Sequence, residues 1–333
     1  MVDDDMVLKT VNLKKSFTTK KKKVEAVRGV DIVVKKGQIY GFLGPNGAGK
    51  TTTLRMLTTL LPIDEGEATV AGYDVKKQPG EVRKRIGYVS QLGGADDEAT
   101  GRDDLLLQAQ LYGMSLAAAK QRARELIEVL QLSEYADRKV ITYSGGQRRR
   151  LDIAIGIMHR PDILFLDEPT TGLDPQNRAN MWQQIRLLRD NGTTIFLTTH
   201  YLEEADILSD YLTIMDHGKI VAEGTPRELK RQISGDAIII KPKQQDDKTI
   251  EQIRKYVDKL SFIKEARVEG ETIHLYAEDG AQALPQIFSL LEDKKIGLET
   301  VSLSEPSLDD VFLKQTGRSL RDGEKKTEEG DRR

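Results

Sequence analysis

Residues 38–51, QIYGFLGPNGAGKT, decide the fold. An apolar run to Leu43 leads directly into Gly44, Pro45, Asn46, Gly47, Ala48, Gly49, Lys50 and Thr51, and a helical pattern follows as far as Pro62. Strand, glycine-rich loop, helix is the setting of a phosphate loop. Glycines are needed because the backbone turns tightly and brings its amides against phosphate oxygens, where a side chain would collide. Lys50 adds a compact positive charge for the outer phosphates and Thr51 offers a hydroxyl to Mg²⁺. The helix presents unpaired amides and the positive end of its dipole to the same anion. A glycine-rich turn with a solvated lysine would need neither the strand before it nor the helix after it.

Similar apolar runs recur at 162–166, 193–199 and 211–215. Without polar alternation they suit strands buried on both faces, so an α/β fold with a mostly parallel sheet is expected. Upstream, 7–13 and 27–34 alternate as half-buried strands and read as an antiparallel edge sheet, with Lys20–Lys23 as a solvated turn between them. Between about 94 and 160 the apolar spacing is helical, as in Leu105, Leu106, Ala109 and Tyr112, which predicts a helical subdomain.

After Gly224, Thr225 and Pro226 open a short helix through Arg231, and a new pattern begins. Strands are expected at 237–241, 263–268, 272–277 and 298–303, with helices at 249–260 and 281–295. That βαββαβ order is ferredoxin-like. Ser307 followed by Asp310 resembles a capping box, predicting a last helix over 308–315 that stops at Gly317. The expected division is 1–234, 235–317 and a charged, disordered tail over 318–333.

Composition narrows the function. With 333 residues the chain buries an ample core, and with no cysteine it has neither a thiolate nucleophile nor a zinc–thiolate site. Basic and acidic side chains nearly cancel, 51 against 53, which leaves no electrostatic footprint for wrapping nucleic acid. The longest charge-free stretch, 105–119, falls short of the roughly 20 apolar residues of a membrane helix, and the aspartates of residues 1–6 read unlike a secretion signal.

A second set of residues completes a nucleotide site. Ile163 to Leu166 lead into Asp167 and Glu168 at a strand's C-terminal end, where open α/β sheets place ligands. Asp167 is the natural Mg²⁺ partner, and Glu168 is left to polarise a water for attack on the terminal phosphate. Gln91 follows the run 86–89 and is a candidate for contact with Mg²⁺ or that water; His200 ends the strand 193–199 and is a candidate partner of the γ-phosphate. His159, His217 and His274 have no such setting. Ser144, Gly145, Gly146 and Gln147 precede a helix with Leu151, Ala154, Ile155 and Met158 on one face, which makes a second anion-recognising helix start. One phosphate loop and a second phosphate-recognising turn are redundant in a self-contained site, and the redundancy makes sense if the turn serves another subunit.

These residues, in this order, resemble the ATP-binding cassette (ABC) family over about residues 7–231: GPNGAGKT at 44–51, Gln91, SGGQ at 144–147, ILFLDE at 163–168, TGLD at 171–174 and His200. The resemblance implies Walker A, Q-loop, signature, Walker B, D-loop (Asp174) and switch-histidine roles. It implies ATP contacts from Phe17, which stacks on adenine, and from Gly44 through Thr51 and Thr52, with Mg²⁺ held by Thr51, Gln91 and Asp167. Tyr143 stands where the family usually has leucine. EPSLDDVFLKQTGR at 305–318 resembles the ending of the daunorubicin-type drug-resistance ATPases. The resemblance further implies a head-to-tail homodimer with the signature acting in trans, a separate transmembrane permease, export of a drug-like or hydrophobic compound, and a cytoplasmic position on the inner face of the membrane through that permease. The rival reading is a soluble cassette ATPase acting on ribosomes or DNA, disfavoured because no second cassette and no long coiled coil appears. A phosphate-loop kinase has no use for SGGQ or TGLD.

Overall fold

A computed structural model describes residues 5–18, 23–232, 236–244, 246–304 and 306–320. Residues 1–4, Lys20–Lys22 of the lysine turn and the tail from 321 lie outside the described residues. The chain divides into two compact units, the first running through Pro226 and the second spanning Arg227–Ser319. The division thus falls ahead of the expected 234/235 boundary, and the short helix Pro226–Arg231 straddles it.

The first unit holds two sheets. The six-stranded sheet runs in the order Lys219–Gly224, Tyr211–Asp216, Ile39–Leu43, Thr194–Thr199, Ile163–Asp167, Ile86–Val89, and only its first pair is antiparallel. Its three middle strands, Ile39–Leu43, Thr194–Thr199 and Ile163–Asp167, are buried at every residue, as their unbroken apolar runs require. Phe196 packs against Tyr40, Phe42 and Phe165 with ring centroids 5.3–5.6 Å apart, filling one side of that sheet.

The antiparallel sheet is built on the long strand Met6–Thr18, flanked by Lys23–Val30 and Glu65–Val70, with Val33–Lys35 and Tyr73–Asp74 as short additions. The alternating run 27–34, expected as one strand, is therefore split. Thr10 Oγ1 donates to Val30 O and accepts from Ile32 N, pinning the break and letting Val33–Lys35 pair with the start of the long strand.

The helical part comprises Gly101–Leu111, Leu116–Val129 and Gly145–Gly156, each N-capped by a hydroxyl: Thr100, Ser115 and Ser144. Leu105, Ala109, Ala119, Ala123 and Leu126 pack with Leu151 and Ala154 in one core. Tyr143 fills the position beneath the signature turn: its hydroxyl donates to Tyr135 O at 2.6 Å and its ring meets Tyr135 edge-on at 4.9 Å.

The second unit is a four-stranded antiparallel sheet in the order Ile263–Glu269, Thr272–Ala277, Asp236–Pro242, Leu298–Ser304, with helices Asp247–Val257 and Gly280–Asp293. This is the ferredoxin-like topology. Ile238, Ile240, Ile273 and Leu275 pack with Ile253, Val257, Ile287 and Leu291 in its core. The last helix, Leu308–Thr316, opens on the Ser307–Asp310 capping box and ends at Gly317 with φ 76°. Among the described residues no helix is long and apolar enough to cross a membrane.

Candidate active site

Strand register assembles the site. Leu43 pairs with Thr199 and Asp167 with Thr198, so the strand ends carrying Gly44, Glu168 and His200 finish side by side. Gly44 N donates to Thr199 O at 3.3 Å, tying the start of the phosphate loop to its neighbour.

Lys50 begins the helix Lys50–Leu57 behind Gly49, an N-cap without any side-chain hydrogen bond. The lysine is buried, and its ammonium donates to Gly44 O at 2.7 Å and Pro45 O at 3.1 Å, inside the loop it belongs to. Burial pushes its pKa down against the attraction of Glu168, whose Oε1 lies 3.5 Å away. Thr51 Oγ1 donates to Asp167 Oδ1 at 3.0 Å, and Thr198 Oγ1 donates to the same oxygen at 2.7 Å.

The strand ends at Asp167, and Glu168 takes a left-handed φ of 47°, where its amide donates to both Thr198 O and Thr198 Oγ1. Its carboxylate is the hub of the site. Gln91 Nε2 and Thr171 Oγ1 donate to Oε2 at 3.3 and 3.2 Å. His200 Nδ1 lies 3.1 Å from the same oxygen, off the line of a straight hydrogen bond. Burial works to raise the carboxyl pKa, but His200, Lys50 and Thr171 together hold it below the usual carboxylate range.

A cleft of about 630 Å³ joins these groups: Phe17, Asn46, Gly47, Gly49, Lys50, Thr51, Thr52, Gln91, Glu168 and His200 all line it. Phe17 is 39% exposed, and Lys15 Nζ stands 5.7 Å from its ring centroid. The cleft therefore offers an aromatic face, uncapped helix amides, an ammonium and a carboxylate together. Ser144, Gly145, Gly146 and Gln147 do not line it. They form a turn, exposed at Ser144 and Gly145 and buried at Gly146, closed by a capping box in which Gln147 N donates to Ser144 Oγ and Ser144 N to Gln147 Oε1. Asp174 caps the helix Pro175–Asp190 by accepting from Gln176 N and Asn177 N, and these bonds hold its pKa down.

Gln91, expected from the sequence to face Mg²⁺ or the attacking water, has its amide on Glu168 Oε2. Thr51 and Asp167 do meet, as hard oxygen donors of the kind Mg²⁺ takes beside phosphate, so this pair fits that ion. Three residues of the site escaped the sequence reading. Thr171 touches Glu168 directly. Glu204, fully buried, accepts from Thr170 Oγ1 at 2.8 Å and Trp182 Nε1 at 3.1 Å, and burial pushes its carboxyl pKa up. Arg149, inside the signature helix, donates to carbonyls on either side of Glu168. The run Arg148–Arg150 reads as a solvated face; the signal available was Asp152 one turn after Arg149, a pair of opposite charges on a helix with few exposed positions.

Comparison with known proteins agrees with this geometry. The ABC transporter family profile matches residues 27–171, and the profile of the DrrA1-3-like ATP-binding protein C-terminal domain matches 224–316. The daunorubicin resistance ATP-binding protein DrrA2 of Streptomyces coeruleorubidus is 43% identical over 302 residues, covering 90% of this chain and 93% of that protein. The doxorubicin resistance ATP-binding protein of Mycobacterium tuberculosis is 40% identical, with 95% of each chain covered. Among solved structures, the ADP conformation of an ATP-binding cassette of an ABC transporter superposes with a TM-score of 0.59 at 29% identity, covering 67% of this chain and 92% of that one. The chain belongs to the ABC transporter family. Within it, the chain is an ATP-binding, ATP-hydrolysing subunit related over nearly its whole length to the drug-resistance ATP-binding proteins.

Proposed function

We propose that this chain hydrolyses ATP at a site shared between two ATPase subunits, in a homodimer, and so drives a separate transmembrane permease that exports a drug-like or hydrophobic compound. The observation that carries the reading is the Glu168 hub. One carboxylate gathers Lys50, Gln91, Thr171 and His200 in the phosphate-loop cleft, while the second phosphate-recognising turn, Ser144–Gln147, stands outside it. A half-site of this kind calls for a signature turn from another subunit. Relatives named for daunorubicin and doxorubicin resistance and for Nod factor export support the direction of transport. In this reading the pathway belongs to a permease and the chain sits on its cytoplasmic side, peripheral to the membrane.

In the cleft, Phe17 stacks on the adenine and the amides of Gly44–Thr52 with Lys50 cradle the phosphates. Thr51 and Asp167, with Gln91 beside them, would hold Mg²⁺, and the ion would neutralise charge on the phosphate oxygens. Glu168 takes a proton from the attacking water as its oxygen bonds the γ-phosphorus and the bond to ADP breaks. His200 steadies the γ-phosphate, and Asp174 lies at the dimer interface. Residues 1–234 form the nucleotide-binding domain, with its helical subdomain over about 94–160, and 235–317 an accessory domain that lengthens the dimer interface.

Glu168→Gln tests the base. A general base contributes about 10²–10⁴-fold, so turnover is expected to fall by at least about a hundredfold while equilibrium titration still gives ATP binding. Undiminished ATPase activity would sink the assignment.

A further inference from the structure

The helix that starts at the signature turn holds two buried charges one turn apart, Arg149 at 7% exposure and Asp152 at 5%. Among the described residues Arg149 bonds only main-chain oxygens: Nε donates to Pro169 O at 2.9 Å, Nη2 to Asp167 O at 3.0 Å and Nη1 to Ser90 O at 2.6 Å. The first two bracket Glu168. The third holds the residue before Gln91. Asp152 Oδ1 accepts from Gly94 N at 2.8 Å and Ala95 N at 3.0 Å, on the far side of the same loop. Arg148 Nη2 adds a bond to Ala95 O at 3.0 Å. Gly93 is what lets the loop lie so close, since a Cβ there would stand 2.5 Å from Asp152 Oδ2.

The Gln91 loop is thus fastened at both ends to the signature helix, and the same helix is fastened to the backbone that carries Glu168. Bonds to main chain fix position whatever the neighbouring side chains are. Guanidinium suits the task because its planar fork spans several acceptors at once, which a point-like ammonium does not. Burial pushes the Arg149 pKa down, and the negative charges of Asp152, Asp167 and Glu204 counter it only in part.

We infer that Arg149 and Asp152 are positioning residues that make the signature turn, the Gln91 loop and the Glu168 turn move as one body. A push on the Gln91 loop then reaches both the base of this subunit's site and the turn offered to its partner's. The inference rests on the roles proposed above for Glu168 and Gln91.

The test uses the full chain, with kcat and KM for ATP hydrolysis and the ATP Kd measured on Arg149→Met, Arg149→Lys and Gln91→Ala. Arg149→Met is expected to lower kcat at least tenfold with the ATP Kd within twofold and full binding stoichiometry, a split that loss of folded protein does not give. Arg149→Lys restores only part of kcat; full rescue by charge alone would overturn the positioning role. The Arg149→Met/Gln91→Ala double variant loses no more than the worse single variant, whereas a loss equal to the product of the two would count against coupling. If Arg149→Met does not fold, Asp152→Ala answers the same question through the loop amides: a several-fold lower kcat at unchanged Kd supports the inference, and wild-type kcat overturns it. Glu168→Gln run alongside separates the failures. An inactive Glu168→Gln with wild-type kcat in Arg149→Met defeats this inference alone, and an active Glu168→Gln defeats the function reading and the inference with it.

Discussion

The two glycine-containing helix starts proposed to meet phosphate are built in opposite ways. At Gly49 the helix begins without a side-chain cap, on a residue with φ 109° whose Cβ would lie 2.3 Å from Ala26 O. Its amides stay unspent, and Lys50 beside them is buried. At Ser144 the start is exposed and complete, because Ser144 and Gln147 satisfy each other's backbone amides. Gly145 there has an ordinary φ, and a Cβ would meet nothing nearer than Leu173 Cδ2 at 3.8 Å. A loop that wraps an anion by itself leaves donors open and excludes side chains by internal crowding. The Ser144 turn closes on itself first and leaves room for a side chain at Gly145, whereas its second glycine answers to its own fold, since a Cβ at Gly146 would stand 2.8 Å from Asn177 Oδ1.

That contrast predicts opposite outcomes for one substitution. Gly49→Ala strains a left-handed position and drives a methyl against backbone, so it is expected to cost about 1–3 kcal/mol of stability and to abolish ATP binding; urea unfolding and titration measure both. Gly145→Ala is expected to leave unfolding within about 0.5 kcal/mol of wild type, as a surface change with room around it. It should nonetheless lower ATPase activity and ATP-dependent dimerisation seen by light scattering, since in the proposed dimer a methyl would stand where the partner's phosphate approaches. Equal effects of the two alanines on stability would break the comparison.

A smaller effect concerns pH. The folded-state pKa of Glu168 is depressed, so its contribution to stability is present above the unfolded value of about 4.3 and is lost as pH falls through the lower, folded value. The stability difference between wild type and Glu168→Gln, measured by denaturant unfolding, is therefore expected at neutral pH and should vanish in strong acid. A difference independent of pH would mean that the carboxylate charge is not what the hub stabilises.

Much of this was legible in the chain. The phosphate loop, the Asp167–Glu168 pair and the signature turn are contiguous, and their residue types are dictated by phosphate and metal chemistry. The ferredoxin-like unit was readable because strand and helix periods alternate cleanly from 236 to 304. The break in the 27–34 run was not, because it depends on Thr10, distant in sequence, bonding to Val30 and Ile32. Arg149 was not, because three successive arginines look alike until one of them finds Ser90, Asp167 and Pro169. Glu204 reads as one more acid on a short helix, yet it is sealed against Thr170 and Trp182.

The sequence by itself determined which groups can touch a nucleotide, since short motifs carry their own local backbone geometry. Only the tertiary structure decided how those groups address one another. Strand register set Gly44, Glu168 and His200 side by side, and burial turned Arg149 from a surface charge into a main-chain clamp. The physical reason is that register and burial are made by contacts between residues far apart in the chain, where no local spacing records them.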